Sequence, residues 1–178
     1  MYTPSIIAVL ALAIGNVYAD HQCLCEEDAY GIADNYGLLF SNYTNEFAAK
    51  VVTTDYHVQT DSVSWLSNNG TNCPYTLGKW TYTNVTELQV AQSTQPNITW
   101  INTHVFWNCE RVFVRWVSPL ENQQVQGISI ILPEKNPRND SAVPWLIKTV
   151  FAEFNTGSWV ANFHIPIGTS PCAAKKDD

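Results

Sequence analysis

The sequence predicts an α+β fold, and three observations carry that reading. Ile32, Tyr36, Leu39, Phe40, Tyr43 and Phe47 recur at spacings near 3.6, the signature of a helix with one apolar stripe. Four later segments (98–107, 110–118, 124–132 and 145–154) are rich in β-branched and aromatic residues and are divided by turn-bearing links. Helices first and strands after is the order that segregates helices to one face of an antiparallel sheet.

Residues 1–19 stand outside the fold. Ile6 to Ile14 is an apolar run of signal-peptide length, too short to span a bilayer, and Val17-Tyr18-Ala19 places small residues at a cleavage site. The expected mature chain starts at Asp20, with a domain over 20–164 and a C-terminal tail over 165–178. Lys175-Lys176-Asp177-Asp178 is read as a frayed end of that tail.

The first helix opens at Glu26, Glu27 and Asp28, where negative charge suits the helix dipole. Gly31 and Gly37 lower its propensity, so packing must hold it. A break near residues 42–45 divides it from a second helix running to about Val52. Residues 53–58 are expected to be extended and Val63–Leu66 to form one helical turn. Asn84 followed by Glu87 starts a further helix over 84–94, with Gln95-Pro96 as its stop. The four long segments then follow as strands. Both faces of these strands carry apolar side chains, for example Phe113 and Val117 opposite Val112, Val114 and Trp116, so both faces want cover.

Composition narrows the function classes. The chain has 178 residues, 46% hydrophobic and 14% charged, with Lys plus Arg 9 against Asp plus Glu 16 and a net charge of −7. That argues against disorder, and an acidic chain without a basic run argues against nucleic acid and anionic lipid. No second apolar stretch approaches about 18 residues, so no membrane anchor is expected in the mature chain. Sequons at Asn42, Asn69, Asn84, Asn97 and Asn139 predict exposed, N-glycosylated positions in a secreted, extracellular protein. Five cysteines (Cys23, Cys25, Cys73, Cys109 and Cys172) in an oxidising compartment favour disulfides, and Cys23 and Cys25 are too close to bridge each other. Their spacing does not suit zinc, and no metal site is expected.

The ordered set of Cys25 ahead of the first helix, Asp55 through Ser62, Cys109-x5-Arg115-Trp116, Val125-x-Gly127-Ile128, Trp145-x-Ile147, Phe151-x-Glu153-Phe154-Asn155 and Trp159 resembles the NTF2-like domains of secreted fungal proteins. The resemblance spans roughly residues 25–163. It implies a cone-shaped α+β barrel, a curved antiparallel sheet wrapped around N-terminal helices with a pocket at the wide end. It also implies possible homodimers through the convex sheet face. Cys25 opens the first helix and Cys109 a central strand, so a bridge between them would clip helix to sheet, with Cys23, Cys73 and Cys172 competing for a second.

Function does not follow from such a fold. Enzymes of this superfamily mostly work without cofactors, using an Asp or His base whose pKa is raised in an apolar pocket. Asp61 is the candidate base and His57 its candidate partner; alternatively Asp61 caps the Val63–Leu66 turn and His57 is solvated. Glu153 either faces the pocket as an acid or is paired at a rim. Trp65, Trp116, Phe151 and Glu153 are the candidate ligand contacts. No nucleophile elbow, phosphate loop, zinc helix or calcium loop is present, and no cofactor is expected. The expected function is binding of an apolar small molecule or a protein partner. The alternatives are a cofactor-independent lyase or isomerase using Asp61, and a host-facing or wall-associated recognition factor.

Overall fold

The computed structural model describes residues 23–67 and 77–164. Residues 1–19 expected as a leader, the sequon at Asn69, Cys73, Cys172 and the tail expected over 165–178 lie outside the described residues. The elements in chain order are α1 (Glu26–Ser41), α2 (Asn45–Val51), β1 (Val52–Gln59), α3 (Asp61–Ser67), α4 (Val85–Gln92), β2 (Ile101–Trp107), β3 (Val112–Ser118), β4 (Val125–Lys135), β5 (Trp145–Phe154) and α5 (Thr156–Phe163). No helix among them is long and apolar enough to cross a membrane.

The helix starts follow capping chemistry. Thr44 accepts the Phe47 N–H ahead of α2, and Asn84 accepts the Glu87 N–H ahead of α4, as the sequence predicts. The carboxylate of Glu87 turns back to the N–H of Thr83, one residue before the cap, at 2.7 Å. For α3 the cap is Thr60 and not Asp61: the Val63 N–H reaches Thr60 Oγ1 at 3.3 Å. Helix α5 was not expected. Asn155 caps it by accepting the Ser158 N–H, and Trp159, Val160 and Phe163 give it a short apolar stripe.

The sheet runs β1-β5-β4-β3-β2. Neighbours among β2 to β5 are antiparallel, while β1 lies parallel to β5, with Val58 opposite Val150. The expected antiparallel arrangement holds for the four long strands, and β1 adds a parallel neighbour that makes the sheet mixed. Parallel neighbours need a long crossover, and everything from α3 to β4 separates β1 from β5. The sheet is also open, not a closed barrel. At the β1 edge the backbone of Tyr82 bonds both ways to Val58, at 2.9 and 3.2 Å, which occupies groups that closure would need.

Burial alternates along the central strands. Val112, Val114 and Trp116 of β3, Ser129 and Ile131 of β4, and Val150 and Ala152 of β5 face inward, where Ala29, Ile32, Ala33, Tyr36 and Leu39 of α1 meet them. The expected apolar second face is real as well. Phe106 pairs with Phe113, Phe113 with Ile130 and Ile130 with Phe151, which makes a row across four strands on the outer face. Phe106 is 63% exposed and the neighbouring Ile128 59%.

The disulfide joins Cys23, not Cys25, to Cys109, with Cα atoms 3.9 Å apart, and Cys25 is free and exposed. Cys25 is committed to the helix start: it occupies the N-cap of α1, and its N–H points at Asp28 Oδ2, 3.4 Å away. Leu24 between the two cysteines is buried and anchors the segment. Cys23, one step upstream of that anchor, meets Cys109 in the turn between β2 and β3. The bridge closes 86 residues of sequence separation, so removing it with Cys109→Ser is expected to cost roughly 2–5 kcal/mol. Cys25→Ser should change stability by less than about 0.5 kcal/mol. Urea unfolding of both variants, with non-reducing peptide mapping, checks the assignment; a Cys25–Cys109 peptide would overturn it.

Candidate functional site

A cavity of about 450 Å³ lies between the helices and the inner face of the sheet, within the range that holds a small organic molecule. Its walls come from every layer of the fold: Tyr36 and Phe40 of α1, Tyr56 and Val58 of β1, Val63 and Leu66 of α3, Leu88 and Ala91 of α4, Trp116 of β3, Phe154 of β5 and Trp159 of α5. Pro96, Ile98 and Trp100 complete it from the segment between α4 and β2.

One wall is a continuous run of rings. Phe40 stacks on Trp100 at 4.9 Å between centroids, and Trp100 stacks on Trp116 at 4.0 Å. Trp116 meets Phe154 at 6.0 Å, Phe154 meets Trp159 at 5.5 Å, and Trp159 meets Phe163 at 4.8 Å. Two glycines seat this run. A Cβ on Gly37 would come 2.5 Å from Trp100 Cδ1, and one on Gly127 would come 2.5 Å from Trp116 Cζ2. The glycine that weakens α1 on propensity is the one that lets Trp100 lie flat against it.

Of the residues singled out in the sequence, the cavity takes only Trp116. Strand alternation places the others elsewhere. On β1 Tyr56 and Val58 point inward, so Asp55 and His57 point out; His57 meets the exposed ring of Trp80 edge-on at 5.2 Å. On β5 Ala152 and Phe154 point inward, so Phe151 and Glu153 point out, and Phe151 lies 5.9 Å from Trp80. Trp65 is half-buried on α3, outside a cavity lined by its neighbours Val63 and Leu66. Arg115, also on the outer face, donates to Gln126 Oε1 at 2.8 Å.

Glu153 serves the start of α3, while the Asp61 carboxylate holds the turn at Gly78. Glu153 accepts the N–H groups of Asp61 at 2.8 Å and Ser62 at 2.9 Å, together with the Ser62 hydroxyl. The Asp61 carboxylate accepts the Gly78 N–H at 2.7 Å. The Asp61 and Ser62 amides are unpaired groups of a helix N-terminus meeting the negative charge of Glu153. Asp61, His57 and Glu153 therefore do not converge in one enclosed space.

Sequence reasoning missed Tyr36, Tyr56, Tyr82, Phe40 and Trp159 as cavity residues. The signal was available for β1, where Tyr56, Val58 and Thr60 alternate. Among the described residues the lining holds no carboxylate, imidazole, ammonium or thiol. Its titratable groups are phenols held in the neutral form. Burial pushes Tyr36 up to about 12 against a small pull from the Ser129 hydroxyl, and burial likewise raises Tyr56 and Tyr82. No group of three or more His, Cys, Asp or Glu able to hold a metal occurs among the described residues. Of the sequons, Asn42, Asn97 and Asn139 are exposed and Asn84 is half-buried, with its oxygen used as the α4 cap.

Because Glu153 caps α3 through charge-assisted bonds, Glu153→Gln is expected to lower stability by about 1–2 kcal/mol in urea unfolding. Asp61→Asn, which keeps an acceptor for Gly78, should cost less than about 1 kcal/mol. The reverse ranking would remove Glu153 as the cap.

The NTF2-like domain family matches residues 22–166. No curated protein matches the chain. Solved structures share the fold at low identity. An NTF-2 like protein of unknown function from Burkholderia xenovorans LB400 superposes with TM-score 0.50 at 8% identity, over 73% of this chain and 84% of its own. TsrD from Streptomyces laurentii does so with TM-score 0.50 at 8% identity, over 78% and 96%. A hypothetical protein with ketosteroid isomerase-like protein fold from Catenulispora acidiphila DSM 44928, in complex with trimethylamine, gives TM-score 0.50 at 9% identity, over 76% and 94%. With the family match extending from just before the disulfide-bonded Cys23 to just past α5, the chain belongs to the NTF2-like domain family.

Proposed function

We propose that this protein is a secreted, N-glycosylated NTF2-like domain that binds a neutral, apolar small molecule in the cavity without transforming it. The observation that carries the reading is the lining itself: a wall of stacked aromatic rings with no carboxylate or imidazole beside it among the described residues. Proton abstraction needs a base within about 3 Å of its target. Asp61 and Glu153 are spent on α3 and Gly78, and His57 stands on the opposite side of β1. Apolar burial at about 25 cal/mol per Å² supplies the binding energy. The leader-like first 19 residues and the exposed sequons Asn42, Asn97 and Asn139 support export with glycans. The exposed outer-face side chains of Phe106, Ile128 and Phe151 support pairing of two copies through that face.

The test uses the full chain expressed with its own leader and recovered from the medium. It should begin at or near Asp20, shrink on deglycosylation, and sediment as a dimer at micromolar concentration. N-phenyl-1-naphthylamine, a neutral apolar probe, should quench the tryptophans and gain fluorescence of its own. Ala91→Trp, which fills the cavity from α4, should weaken that binding more than tenfold, while Asp61→Asn should leave it within about tenfold. Retention only in cytosol with Met1 intact refutes the compartment, and a monomer refutes the pairing. Binding indifferent to Ala91→Trp refutes the cavity as the site.

A further inference from the structure

The sheet ends in two edge strands, and they are treated differently. At β1 the backbone of Tyr82 bonds to Val58, whereas nothing among the described residues bonds to the free side of β2. The turn after β2 shows which of its groups are free. The Asn108 N–H bonds to the Arg111 carbonyl at 3.0 Å, and Trp107, Phe106 and Val105 stand opposite Val112, Phe113 and Val114. Bonding alternates along an antiparallel pair, so Asn108 and Phe106 bond to β3 while the N–H and C=O of Trp107 and Val105 turn away from it. The bulge between Asn102 and His104 disturbs only the other end of the strand. The strand, INTHVFW, also lacks the Lys and Pro that usually guard a sheet edge, and it holds no Asp, Glu or Arg.

One stripe of α1 runs alongside this edge. Glu26, Tyr30, Asp34 and Leu38 follow at steps of four, and all four are exposed. Tyr30 meets the Trp107 ring at 6.2 Å, and Asp34 accepts from Asn102 Nδ2 at 2.9 Å, which sets the stripe against the inner side of β2. Neither Glu26 nor Asp34 belongs to an ion pair among the described residues. On the outer side the exposed Phe106 offers apolar surface. None of these side chains lines the cavity.

We propose that the free edge of β2 takes an extended segment of a protein partner as an added antiparallel strand, with basic side chains on its α1 side and apolar ones on the other. The free groups of Val105 and Trp107 are matched only by another extended backbone, which presents N–H and C=O at the same period. An antiparallel strand continues the pattern from β2 to β5. The two carboxylates of the α1 stripe select Lys or Arg over Asp or Glu on the near side. They also argue against a second copy of this chain as the occupant. Two β2 edges paired about a two-fold axis would bring like-charged stripes toward one another.

The probe is acetyl-Lys-Val-Lys-Val-Lys-Val-Lys-amide carrying a fluorophore, with acetyl-Glu-Val-Glu-Val-Glu-Val-Glu-amide as its charge reversal. Fluorescence anisotropy at low salt should show the Lys peptide binding about tenfold tighter or more. Directly opposed residues of an antiparallel pair share a face, so the peptide residues that bond to Val105 and Trp107 are those on the α1 side, the lysines. N-methylation of the lysine amides should therefore weaken binding more than about tenfold, and N-methylation of the valine amides less than about threefold. Asp34→Asn, which keeps an acceptor for Asn102, should weaken the Lys peptide about threefold and leave N-phenyl-1-naphthylamine binding unchanged. Equal binding of the two peptides, or equal effects of the two methylation patterns, would overturn the proposal. So would no binding at all, the result that a second copy seated on β2 would give.

Discussion

The structure turns on the stacking of Trp100 on Trp116. Their ring centroids are 4.0 Å apart, closer than most aromatic pairs in protein interiors, and each ring rests against a backbone with no side chain in the way. Gly37 provides that seat on α1 and Gly127 on β4. The pair therefore sets how closely the first helix approaches the sheet, and the space left beside it is the cavity. A methyl at either glycine would meet indole carbon, and at Gly127 it would also come 2.7 Å from the Glu153 carbonyl, which cannot give way cheaply.

That constraint explains what was legible in the sequence and what was not. Helix α1 could be read from Ile32, Tyr36, Leu39 and Phe40 because period and burial coincide there. Helix α4 could be read from Asn84 and Glu87 because capping is local chemistry. The strand segments could be read from composition, and β5 matches its expected span, Trp145–Phe154. The parallel partner of β1 could not, because pairing across that many residues leaves no local trace. Nor could the choice between Cys23 and Cys25, which differ by two residues and depend on where α1 begins and on the burial of Leu24.

Most of the site was not legible, and strand facing is the main reason. On a strand, an error of one residue in facing moves every candidate to the wrong side. His57, Phe151 and Glu153 drew notice as polar or aromatic residues at the right place along the chain. Tyr56, Val58, Ala152 and Phe154, their immediate neighbours, are the ones that look inward. Trp116 lines the cavity because it shares its face with Val112 and Val114 and buries with them. The carboxylates have a structural occupation instead. Helix α3 is seven residues long, too short to hold itself, and its first amides are tied to Glu153 on β5.

Trp116 links the packing to the polarity of the cavity. Its face belongs to the aromatic wall, and its edge carries the N–H that starts the path through Ser129 to Tyr36. A phenylalanine would stack as well but would leave the buried Ser129 hydroxyl without the donor that now meets it. The residue that determines how near α1 comes to the sheet thus also holds the serine that meets Tyr36 behind the cavity wall.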